Sequence, residues 1–196
     1  MTDTDKRIKR SADFVVALGS LLVLWPVILV AMVVAAISTR TNGLFRQQRV
    51  GKGGRLFKVC KLRTMRNVSG TTVTTVNDAR ITRAGAVLRR LKLDELPQFW
   101  NVLVGEMSLV GPRPDMPGYL DALEGDDRRL LELRPGITGP ATLKYRDEEL
   151  ILAEQDDPER YNDTVIWPDK VRINLDYMDN WSFMTDVRIF LRTFLP

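Results

Sequence analysis

The chain has 196 residues, 44% of them apolar and 28% charged, with a net charge of +4. That balance excludes a disordered tail, and that length excludes two large domains; one compact domain with an appendage is what remains. One cysteine and no histidine exclude an internal disulfide, a cysteine-held zinc and His-dependent triads, leaving carboxylates, Lys, Arg, Tyr, hydroxyls or the lone thiol for chemistry and an oxygen-held cation such as Mg²⁺ for any metal.

The charge is uneven. Residues 1–66 carry 13 Lys/Arg and 3 Asp/Glu, whereas residues 67–196 carry 16 and 22. A nucleic-acid binder would spread its cations over the folded domain, so no nucleic-acid partner is expected. A basic front suits an N-terminal part that meets an anionic lipid surface.

Phe14 to Ile37 is a run of 24 residues without a charge, long enough for a membrane helix and too long for a signal-peptide core. Lys6, Arg7, Lys9 and Arg10 precede it; Arg40, Arg46, Arg49, Lys52, Arg55 and Lys58 follow it. A straight span cannot keep two basic flanks on one face. Pro26 stands mid-run, and each arm is roughly 17 Å long, about half a bilayer core. A helix bent at Pro26 that enters and leaves by one leaflet satisfies both charge and length. A kinked span with its N-terminus outside is the other topology; the bent one is preferred.

Residues 44–50 and 56–62 read as two strands around the Gly-rich turn Gly51-Lys52-Gly53-Gly54. The turn lacks the Gly-Lys-Ser/Thr ending of a phosphate loop, so a plain hairpin is expected. Cys60 falls in the second strand, where a packed, inert thiol is expected. Residues 67–80 are rich in Thr, Ser, Asn and Gly and read as a mobile loop. Residues 81–93 are basic and partly apolar.

Leu96, Phe99, Trp100 and Leu103 then recur at helical spacing. Asp94 is placed to cap that helix, and Pro97 is tolerable in its first turn. The helix dipole would favour the ionised carboxylates of Asp94 and Glu95. Ser108 to Pro114 and Arg134 to Pro140 read as two stiff Gly-Pro segments, with residues 118–133 helical between them. Residues 146–163 are acidic surface. Pro168 opens a helix to about Met178, with Val171, Leu175 and Met178 on one stripe. Trp181 to Pro196 either packs on the core or lies in the membrane interface as an amphipathic helix; the second is favoured.

An Asp-Glu pair alone is weak evidence of chemistry, since most such pairs are solvated. Here Arg89, Arg113 and Arg134 lie in or beside segments stiffened by Pro and Gly. Rigidly held guanidinium forks suit phosphates. A carboxylate can attack phosphorus covalently when cations offset the phosphoryl charge.

Five segments carry a resemblance. Phe45-Arg46-Gln47-Gln48-Arg49-Val50-Gly51, Phe57 to Met65, Leu93-Asp94-Glu95-Leu96-Pro97-Gln98, Gly105 to Pro114, and Arg134-Pro135-Gly136-Ile137-Thr138-Gly139 closely resemble the bacterial sugar transferase family. These are the small monotopic phosphoglycosyl transferases that start glycoconjugate assembly on a polyprenol carrier. The resemblance implies an α/β, mostly helical fold. A re-entrant membrane helix-break-helix spans residues 1–40, with its break at Pro26. A compact cytoplasmic catalytic domain spans 41–196, with a short β-hairpin and membrane-surface amphipathic helices.

It also implies transfer of a sugar 1-phosphate from a UDP-sugar to undecaprenyl phosphate, with release of UMP, at the cytoplasmic face of the bacterial inner membrane. Asp94 takes the position of the family's nucleophile, which forms an aspartyl-phosphosugar. Glu95 takes its partner's, as Mg²⁺ ligand or proton acceptor; Asp94 and Glu95 together are the candidate metal ligands. Arg89, Arg113 and Arg134 match the phosphate-neutralising arginines, and Lys61 and Arg63 are weaker matches for the diphosphate or the lipid head group. A homodimer is left open. Two departures stand out. The family's break is often Ser-Pro, here Trp25-Pro26, and the Pro140 to Arg146 stretch differs from the usual continuation, so the donor sugar is not carried over. The competing function is a non-catalytic membrane anchor for glycan-assembly enzymes. A multi-pass transferase is disfavoured by the single apolar run.

Overall fold

Thr2 opens the chain's long helix with a reciprocal cap: its hydroxyl accepts from the Asp5 N–H at 3.2 Å, and the Asp5 carboxylate accepts from the Thr2 N–H at 2.7 Å. The helix, α1 (Asp3–Thr39), runs 37 residues and ends at Arg40 in the left-handed region. The structure, a computed structural model, describes residues 1–66 and 79–194. Most of the expected mobile loop at 67–80 lies outside the described residues.

The expected break at Pro26 does not interrupt α1, which is one helical element through the proline. Proline withholds one donor but its φ is already helical, so an apolar helix with many other bonds continues past it. Lys9, Asp13, Ala17, Ala31, Ala35 and Thr39 form its buried stripe, on both sides of Pro26. Ala17 joins the main core, while Ala31 and Ala35 pack with Leu62 and Leu88. Both arms therefore rest on the same folded body. Leu22, Val23, Trp25, Val27, Leu29 and Val30 around the proline are exposed. Among the described residues α1 is the one helix long and apolar enough to cross a membrane.

The hairpin forms as expected. Strands β1 (Leu44–Val50) and β2 (Leu56–Leu62) pair antiparallel from Leu44↔Leu62 to Val50↔Leu56, with a 3₁₀ turn at Lys52–Gly54 between them. Helix α2 (Arg83–Arg90) starts under the Thr82 hydroxyl, which accepts from the Gly85 N–H at 2.9 Å. A 3₁₀ turn, Leu93–Glu95, leads to α3 (Gln98–Val104). Asp94 is thus not an N-cap: it sits inside the 3₁₀ turn, and Pro97 precedes α3. The buried face also differs from the expected stripe. Gln98, Phe99, Asn101 and Val102 are buried and Trp100 is exposed.

Strands β3 (Ser108–Val110) and β4 (Gly136–Thr138) pair in parallel. Between them, residues 118–133 form two 3₁₀ stretches, Leu120–Ala122 and Gly125–Glu132, rather than one α-helix. Gly118 and Gly125, at φ 104° and 57°, turn the chain where a continuous helix would have to pass. Then follow α4 (Pro140–Lys144), α5 (Glu148–Ala153), α6 (Pro158–Tyr161), a π-helical turn at Asn162–Ile166, α7 (Trp167–Asp179) and α8 (Phe183–Phe194).

The main core gathers Phe57 and Val59, Phe99 and Val102, Met107 and Val110, Tyr177 and Met178, and Ile189. Each such side chain contributes about 1.5–3 kcal/mol when fully buried. Helix α8 packs on this core through Ile189 and Phe190 while exposing Phe183, Met184 and Leu191. The C-terminal segment therefore packs on the core, as one of its two expected placements had it, and keeps an apolar outer side.

Candidate active site

Asn101 sets the site's frame. It is almost fully buried, and its amide closes the outer edge of β2: Oδ1 accepts from the Cys60 N–H at 2.9 Å and Nδ2 donates to the Lys58 carbonyl at 2.9 Å. This ties α3, and the acid pair just before it, to the strand that carries Lys61. Arg10 holds the other end of α3, donating to the Val102 and Leu103 carbonyls at 2.6 and 2.8 Å. Carbonyls in a helix's last turn lack the i+4 donor of its interior; the Val102 one also accepts from the Gly105 N–H at 3.1 Å.

Within that frame, Lys61, Arg63, Arg89, Asp94, Glu95 and Arg113 line one open cleft of about 1420 Å³. Lys61 Nζ donates to Glu95 Oε1 at 3.0 Å, and Arg113 Nη2 approaches the same oxygen at 3.9 Å. Burial pushes the Glu95 carboxyl up, but the Lys61 and Arg113 charges and the Lys61 hydrogen bond win and hold it at about 2. Burial pushes the Lys61 ammonium down, and Glu95 only partly offsets it. Asp94 is 8% exposed. Burial, then the Glu95 charge, raises its carboxyl, against the lowering influence of Lys61 and Arg89. The two neighbours thus differ: Glu95 is a committed anion in an ion pair, and Asp94 is a desolvated carboxylate whose charge is less well compensated.

Arg63 lies over the Phe45 ring at 5.5 Å, and Nη2 donates to the Leu44 carbonyl at 3.4 Å. Arg134 is not brought to this group. Its Nε donates to the Gly105 carbonyl at 2.8 Å, at the α3 terminus near Arg10, and it does not line the cleft. Arg49 and Asp115 do line it and were not singled out from the sequence. Burial raises the Asp115 carboxyl to about 6, against Lys170, Arg113 and Arg49. The signal for Asp115 was its place directly after Pro114 in the stiff segment; nothing local marked Arg49.

As to a metal, the described residues assemble no group of three or more acidic, Cys or His side chains. An adjacent pair of carboxylates in a cleft fits Mg²⁺, which takes one or two carboxylates from protein when substrate phosphates supply further oxygens.

The ion pair gives a pH expectation. The folded Glu95 value lies below its ordinary 4.5. Its stabilising contribution is therefore complete above about 4.5 and is lost as pH falls toward 2. Glu95→Gln should cost about 1–3 kcal/mol at neutral pH by leaving Lys61 unpaired, and melting measured from pH 7 to 3 should show a shallower acid limb than the parent.

A sequence profile described as bacterial sugar transferase matches residues 4–196. The chain belongs to the bacterial sugar transferase family. The match bears out, at family level, the resemblance carried by the five motifs. A UDP-glucose:undecaprenyl-phosphate glucose-1-phosphate transferase of Xanthomonas campestris pv. campestris is 38% identical over 94% of this chain and 37% of its own. One of the same description from Escherichia coli (strain K12) is 36% identical, over 98% and 40%. The exopolysaccharide production protein PSS of Rhizobium leguminosarum bv. phaseoli is 36% identical, over 96% and 94%. This sugar transferase chain therefore spans about two fifths of the first two relatives and nearly all of the third.

Proposed function

We propose that the chain transfers a sugar 1-phosphate from a UDP-sugar to undecaprenyl phosphate, releasing UMP, in two displacements through Asp94. The observation that carries the reading is the buried Asp94 carboxylate in a cleft shared with Lys61, Arg89, Arg113 and the ion-paired Glu95. The names of the relatives support the reaction class.

In the first displacement an Asp94 oxygen attacks the sugar-bearing phosphorus. The bond from that phosphorus to the bridging oxygen breaks, and UMP leaves with the electron pair. In the second, a lipid phosphate oxygen attacks the same phosphorus and the bond to Asp94 breaks, restoring the carboxylate. Removal from water makes Asp94 the more reactive member of the pair. Arg89, Arg113, Lys61 and Arg63 offset phosphate charge, Arg113 in a loop that costs little to order. Asp94 and Glu95 would hold Mg²⁺ with the diphosphate, where it offsets phosphoryl charge. Arg134 is left out of the phosphate-binding set, because its Nε is committed to the backbone.

The test is UMP release from UDP-glucose, UDP-galactose, UDP-N-acetylglucosamine and UDP-N-acetylgalactosamine, each with undecaprenyl phosphate and Mg²⁺. Release from at least one supports the reaction; release from none favours the non-catalytic anchor.

The same proposal places α1 in the cytoplasmic leaflet of the inner membrane as a re-entrant element. Its support is the packing of both arms on one body, with exposed apolar residues from Phe14 to Ile37 on both sides of Pro26. Cysteines at Thr4 and Asn42 should both resist an impermeant thiol reagent in intact cells and react after lysis; labelling of position 4 alone would defeat the arrangement.

A further inference from the structure

The cleft has two chemically different walls. Lys61, Arg89, Asp94, Glu95 and Arg113 make one of them charged. The other is built on α4 and α7, where Thr142, Trp167 and Asn174 line the cleft. Of the cations on that side, Lys170 is matched by both Glu148 carboxylate oxygens at 2.7 Å, and Arg146 Nη2 donates to the Arg192 carbonyl at 2.8 Å.

Two oxygens of the α4–α7 wall have no partner. Thr142 Oγ1 and Asn174 Oδ1 are shielded from water and make no hydrogen bond, although Asn174 is only 6% exposed. Folded proteins satisfy nearly all such groups, so a pair of orphans on one wall of a substrate cleft calls for a ligand. Asp115 adds an acceptor carboxylate to the same cleft, and it feels the charge of Lys170, one turn from Asn174 on α7. Neutral hydroxyl and amide groups beside a carboxylate do not suit a phosphate. They suit the hydroxyls of a sugar ring, which both donate and accept.

We propose that Thr142 and Asn174, with Asp115 beside them, hold the hydroxyl-bearing sugar of the donor and set which sugar is transferred. The assignment rests on the transferase reading above. On this proposal the Thr142 hydroxyl and the Asn174 amide turn toward the cleft that their residues line, where the donor's ring hydroxyls would meet them. It also separates labour within the site: the charged wall takes what all nucleotide sugars share, and the α4–α7 wall takes what distinguishes them.

Thr142→Val and Asn174→Leu remove the two oxygens with little change in volume. The donor that releases UMP fastest from the four-member panel above is the probe. Each variant should raise its KM about tenfold, leave inhibition by UMP within about twofold, and narrow the preference among the four sugars. Melting midpoints should be equal or higher, because an orphaned atom is gone; a merely structural role predicts lower ones. A parallel rise in the UMP inhibition constant would reassign the wall to the nucleoside and overturn the proposal. Unchanged KM with normal UMP release would overturn it while leaving the transferase reading intact. A parent protein that releases UMP from none of the four sinks that reading and the sugar wall with it.

Discussion

Asp94→Asn should stop UMP release, by at least about 10⁴-fold, and leave the protein as stable as its parent or more so. The two halves of that expectation have one cause. Burial and the neighbouring Glu95 raise the Asp94 carboxyl in the folded state. A carboxylate whose folded value is raised weakens the fold at any pH above that value, so a neutral amide of the same shape relieves a cost at pH 7. The amide cannot form the bond to phosphorus. UMP release and melting read the two halves separately, and intact mass after incubation with donor should show a sugar-phosphate adduct on the parent only. Full turnover by the variant would remove Asp94 from the covalent role and with it the proposed route.

Gly139→Ala should be strongly destabilising for so small a substitution. Gly139 has an extended backbone at φ −175°, open to any residue, so the effect is steric alone. A Cβ there would lie 2.1 Å from the Gly111 carbonyl oxygen, and one on Gly136 would lie 2.2 Å from the Gly111 nitrogen. The two Gly-Pro segments meet backbone to backbone, with Gly111 N–H donating to the Thr138 carbonyl at 2.9 Å and Gly136 N–H to the Pro112 carbonyl at 2.7 Å. An added methyl must push them apart, costing about 3 kcal/mol and shifting melting by roughly 10 °C. Arg113 follows Pro112 in the displaced loop, so catalysis should fall even in protein that stays folded. A melting curve superimposable on the parent's would show that the interlock is not tight.

These contacts explain what could be read early. Alternation and the Gly-rich turn encode the hairpin locally, and β1 and β2 fall where they were expected. Asp94, Glu95 and Arg113 were legible as a charge constellation because their segments carry Pro and Gly as landmarks, whereas Lys61 entered only through the family resemblance. What distance in sequence conceals was not legible. Asn101 looked like one more polar helix residue, yet it closes an edge of β2 41 positions away. Trp100 was assigned to the buried stripe; tertiary packing turned Gln98 and Asn101 inward instead. Arg134 shared the rigid setting of Arg113, but its side chain runs to the α3 terminus rather than to the cleft. Thr142 and Asn174 come from separate helices with no common motif.

The polar ties of α1 carry a mechanical consequence. Asp13 accepts from the Ser108 hydroxyl and the Leu109 N–H at 2.8 and 2.9 Å, and Lys9 pairs with Asp186 beneath the surface. Arg10 grips one end of α3, and the acid pair stands just beyond the other; seven helical residues span about 10 Å. Anchor and acid pair thus stand at opposite ends of one short strut, α3 with the 3₁₀ turn that leads into it. In the proposed membrane setting the strut acts as a depth gauge, holding the reacting carboxylate at a constant standoff from the lipid.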